Sequence, residues 1–115
     1  MYTARPGEAD GEGTRLTLEH LAHTEGIGEE HLRMYGPGAV GLGWDLGFLG
    51  LDRHLETGGD RPLEADPAWM ASDEAKAFMR ASGEAWGEAH AASGEAPDEA
   101  RAKAERTIAA YSGGP

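Results

Sequence analysis

The sequence contains no cysteine, which excludes a disulfide framework, a thiolate zinc site and a cysteine nucleophile. Aromatic residues are scarce at 7% of the chain, with only two Phe, so alanine carries much of the apolar content and the driving force for burial per residue is weak. Positive charge is short as well: 10 Lys plus Arg face 21 Asp plus Glu, a net charge of −11. A surface of that sign repels phosphate backbones and anionic headgroups, which argues against nucleic acid and membranes as partners. No apolar run is long enough to span a bilayer, and the longest is interrupted by Asp45. Residues 1–15 are polar and acidic, without the apolar stretch of a signal peptide. With 115 residues, the expectation is a cytoplasmic protein of one domain with a modest core.

Against these absences stands an excess of glycine in one place. The segment 36–51, GPGAVGLGWDLGFLGL, has six glycines in sixteen positions, although each interior glycine costs a helix about 1 kcal/mol relative to alanine. Its apolar spacing nevertheless predicts a helix over 38–56, stopped by the Thr-Gly-Gly-Asp run that begins at Thr57. At 100° per residue, Val40, Trp44, Phe48, Leu51 and Leu55 gather in one arc, and Leu42, Leu46 and Leu49 form a second on the far side. Gly43, Gly47 and Gly50 fill one gap between the arcs, and Asp45, Asp52 and Glu56 occupy the remaining sector, where they are expected to be solvated. A smooth glycine stripe flanked by large side chains lets another backbone come close. The reading is of a helix that lies in the grip of a curved sheet, of which this chain supplies about two strands.

Those strands are predicted at 2–4 and 14–23, joined by a turn over residues 5–13, RPGEADGEG. The second alternates, with Leu16, Leu18, His20 and Ala22 on one face. A short helical turn is expected from Gly28 to Met34. Beyond a connector at 57–71, Ser72 can cap a helix reaching Ala92, and Pro97 with Asp98 and Glu99 suits the first turn of a last helix. Ala75, Phe78, Met79, Ser82 and Trp86 mark the inner face of the first, and Ala100, Ala104, Ile108 and Tyr111 that of the second. Two such Ala-rich helices within 72–112 are expected to form a hairpin that packs on something larger. The fold class is therefore α+β, mostly helical.

Candidate chemistry is sparse. His20, His23 and His31 lie near Glu29 and Glu30, yet on a strand His20 and His23 point to opposite faces, so neither a metal site nor a cofactor site is predicted. The glycine-rich segment lacks the lysine and hydroxyl of a phosphate loop and does not keep G-x-G-x-x-G spacing. No nucleophile-elbow pattern occurs, and no catalytic set is assembled.

Taken together, GTRLTLEH at 13–20, the segment at 36–51, and the tail with EAKAFMRASGEAWGEAH at 74–90 and DEARA at 98–102 resemble the C-terminal part of actinobacterial START-like (SRPBCC) proteins, nearest the heat-shock-protein-ATPase-activator-like branch. The resemblance implies a helix-grip fold, in which a long C-terminal helix closes a curved antiparallel sheet over an apolar cavity. It implies that residues 1–56 are the C-terminal part of such a domain, 57–71 a linker and 72–112 a helical extension. In that family a strand, helices and further strands precede the position matching residue 2, so an N-terminally truncated chain is expected. The implied cavity wall comprises Leu16, Leu18, His20, Val40, Trp44, Phe48 and Leu51. The expected function is binding of a small hydrophobic or aromatic ligand, without catalysis. Two alternatives remain open: an enzyme similar to polyketide cyclases and aromatases, and an acidic helical interaction module whose sheet is completed by a partner chain or a second copy.

Overall fold

The computed structural model describes residues 2–4, 8–11, 13–21, 23, 25, 28–58 and 66–113. The described chain is mostly helical, with four three-residue strands, β1 (Tyr2–Ala4), β2 (Glu8–Asp10), β3 (Gly13–Arg15) and β4 (Leu18–His20). Five helices follow: α1 (Glu29–Tyr35), α2 (Gly38–Thr57), α3 (Pro67–Met70), α4 (Asp73–Ala92) and α5 (Pro97–Tyr111). Contacts divide the chain into two compact units, 1–32 and 33–115. That boundary differs from the expected division into 1–56 and 72–112, because α2 shares a core with α4 and α5.

In the first unit β1 pairs antiparallel with β4, Tyr2 opposite His20 and Ala4 opposite Leu18, and β2 pairs with β3, Glu8 opposite Arg15 and Asp10 opposite Gly13. The expected turn over 5–13 is therefore corrected, because 8–10 and 13–15 pair with each other. The single strand expected at 14–23 is likewise two short ones. Three residues on one side and two on the other separate the ladders, a change of register that interrupts the strand. Residues 5–7, 12 and 22 lie outside the described set, Ala22 of the expected strand face among them.

The second unit is built on α4 and α5, the most extensively packed pair. Ser72 caps α4 through its Oγ, which accepts from Ala75 N at 3.2 Å. Asp73 and Glu74 add negative charge to the first turn, where the helix dipole favours it. Pro97 opens α5 with Asp98 and Glu99 behind it. Small residues on the facing surfaces draw the two helices together, with Gly83 against Ile108 and Gly87 against Ala104. Arg80 ties the pair across the surface, with Nη1 at 3.0 Å from Glu105 Oε1 and 3.1 Å from Glu84 Oε1. Glu95 sits between the helices and accepts from Lys103 Nζ at 2.6 Å.

Across this pair lies α2, which ends at Thr57 where the Gly58 N–H bonds to the His54 carbonyl at 2.7 Å. Leu42 and Leu46 are buried against Ala75 and Met79, with Trp69, Met70, Phe78 and Tyr111 packed around them. The C-terminal helix also holds the segment before α2: Arg106 Nε donates to the Met34 carbonyl at 2.7 Å, and Thr107 Oγ1 to the Tyr35 carbonyl at 3.3 Å. Tyr111 Oη donates to the Ala39 carbonyl at 2.6 Å, and burial raises its phenol pKa above the usual value.

Candidate functional site

Helix α2 is apolar on two faces, and one of them is covered more fully than the other within its unit. The inward face is the arc of Leu42, Leu46 and Leu49, the first two buried and Leu49 half-buried. The arc expected to line a cavity points the other way. Val40 and Trp44 are half-buried, while Phe48, Leu51 and Leu55 expose 37%, 41% and 75% of their surface. Sequence periodicity locates both arcs but does not choose between them, because each has the size and spacing of a core stripe.

What chooses is backbone clearance. Gly41 stands directly under the Trp86 ring, so that a Cβ added there would fall 2.1 Å from Cε2. By contrast Gly47, placed by the sequence in the stripe of close approach, has open space around the position a Cβ would take. The closest approach is therefore made at Gly41 with an aromatic ring, while in the expected stripe a Cβ at Gly43 would meet Tyr111 Oη at 3.1 Å and one at Gly47 would meet nothing.

Trp86 is in turn fixed by Asp45. The Oδ2 atom of Asp45 accepts from Ser82 Oγ at 2.6 Å and from Trp86 Nε1 at 3.0 Å, so one carboxylate oxygen on α2 clasps two donors one turn apart on α4. The expectation of a solvated Asp45 is thus corrected: the residue is half-buried and bonded across the helix interface. Its signal in the sequence was present, because Ser82 and Trp86 are donors spaced i, i+4 on a face otherwise made of small and apolar residues. A charged acceptor opposite such a pair satisfies both donors with charge-assisted bonds.

The strand residues named from the sequence lie in the first unit, where Leu16 is 46% exposed, Leu18 half-buried and His20 exposed. His23 is exposed and His31 half-buried. Among the described residues no group of three or more His, Asp or Glu side chains is placed to hold a metal ion. A groove of about 310 Å³ runs between α4 and α5, floored by Gly87, Ala91 and Ala104 and rimmed by Glu84, Glu88 and Arg101. None of the seven expected site residues lines it. No described helix is long and apolar enough to cross a membrane.

Nothing on the outward arc of α2 is ionisable, so the arc offers area and two aromatic rings. Comparison with known proteins adds no family to this picture: no family model, no curated protein and no solved structure matches the chain.

Proposed function

We propose that the chain is the C-terminal part of a START-like (SRPBCC) helix-grip domain that acts in the cytoplasm and binds a small hydrophobic or aromatic molecule, with the outward arc of α2 as one wall of the site. The observation that carries this reading is the second apolar face of α2, on which Val40, Trp44, Phe48 and Leu51 line up while Leu42 and Leu46 already serve the core. An apolar stripe left outside the core of a small unit marks a contact surface.

The magnitudes say what kind of site this is. The exposed fractions of Phe48, Leu51 and Leu55 amount to roughly one and a half side chains, and burying that much recovers about 2–4 kcal/mol. Since a dissociation constant of about 1 mM already needs about 4 kcal/mol, the arc by itself supports only weak binding. A tighter ligand requires a second apolar wall beside the arc.

The test is titration of the purified chain with the neutral apolar dye Nile red, beside Phe48→Ser and Leu51→Ser. Both substitutions are at exposed positions and should leave far-ultraviolet circular dichroism unchanged. Saturable dye binding that weakens at least fivefold in each variant supports the reading. Dye binding that is absent, or equal in the variants and the parent, overturns it.

A second reading is favoured by the exposure of the same arc: a helix surface that leaves Phe48, Leu51 and Leu55 open to solvent suits a protein partner or a second copy as well as a small molecule. Light scattering separates the two, because a concentration-dependent mass lost in Phe48→Ser indicates association. A constant monomer mass with retained dye binding returns the first reading.

A further inference from the structure

We draw no further inference here: the strongest candidate, the outward apolar arc of α2 from Val40 to Leu55, belongs to the site already described, and nothing in the structure shows what covers it.

Discussion

Replacing Gly41 with alanine sets two effects against each other. Alanine in a helix interior is favoured over glycine by about 1 kcal/mol, so propensity alone predicts a more stable protein. The structure predicts the reverse. An added Cβ would meet Trp86 Cε2 at 2.1 Å and Cδ2 and Cζ2 at 2.5 Å, whereas carbon atoms rest at about 3.5–4.0 Å. The ring would have to withdraw by about 1.5 Å, and its Nε1 is held at 3.0 Å from Asp45, so retreat weakens that bond. Overpacking of this kind costs about 1–3 kcal/mol, and the lost bond to a charged acceptor adds about 1–2 kcal/mol. After the gain in propensity, Gly41→Ala should be destabilised by about 1–4 kcal/mol. For a unit of this size that is a fall in melting temperature of about 4–32 °C, at roughly 4–8 °C per kcal/mol. The internal control is Gly47→Ala, on the same helix with open space at the Cβ position, which should gain about 0.5–1 kcal/mol. Thermal and urea unfolding followed by circular dichroism measure both. In a Trp86→Leu background the penalty at residue 41 should shrink, a coupling that only residues in contact show. A Gly41→Ala protein as stable as Gly47→Ala would refute the packing of Trp86 on α2.

Other predictions follow from the polar ties. Asp45→Ala strips the Ser82 and Trp86 donors of their acceptor and should cost about 1–3 kcal/mol, read by denaturation and by a shift in tryptophan emission; an unchanged midpoint would show that the clasp carries no stability. Tyr111→Phe removes the bond to Ala39 and should cost about 1 kcal/mol. Because burial raises the Tyr111 pKa in the fold, its contribution is complete below the unfolded tyrosine pKa, about 10, and is lost as pH rises through the higher folded value. Absorbance titration in the alkaline range should show a phenol titrating above the usual tyrosine value that is lost in Tyr111→Phe. Glu95 is held below the usual carboxylate range first by its bond from Lys103 and then by the Ala96 N–H, and Glu105 by its bond from Arg80. Their contributions are therefore complete above about pH 4.5, and fade as pH falls through the depressed values. Glu95→Gln should make stability less steep between pH 5 and 3, by about the slope that one carboxylate supplies, and an unchanged slope would show that Glu95 titrates alike in both states.

Much of the helical unit is legible from local signals. Ser72 before an acidic turn, Pro97 before Asp-Glu, and the glycines after Thr57 mark helix ends by chemistry that acts within one turn. The inner face of α5 was equally accessible, since Ala100, Ala104 and Ile108 keep one spacing and are all buried. The inward face of α2 was not accessible, because two apolar arcs compete and the decision rests on Trp86, 45 positions beyond Gly41. The role of Asp45 was only half legible: the Ser82 and Trp86 spacing marks two donors, but an acid on a helix reads as solvated until its partners on another helix are known. In the first unit the Gly- and acid-rich run 5–13 resembled a turn throughout, yet residues 8–10 and 13–15 pair as strands because the ladder bonds of a hairpin use the backbone alone. For the candidate site, sequence identified which α2 residues share an arc; only the fold showed that this arc is the one left outside.

The ties from α5 back to the start of the unit bear on how the protein is made. Arg106, Thr107 and Tyr111 reach Met34, Tyr35 and Ala39 across 72 residues of chain. On the ribosome those partners emerge first and wait, with Leu42 and Leu46 of α2 already able to meet Ala75 and Met79 of α4, until the last helix has cleared the exit tunnel. Contacts of such sequence separation slow folding relative to a bundle of purely local pairs. A transcript truncated anywhere within α5 would thus release a chain whose α2 has lost its fastening at the N-terminal end, and the expected fate of that product is capture by chaperones or proteolysis.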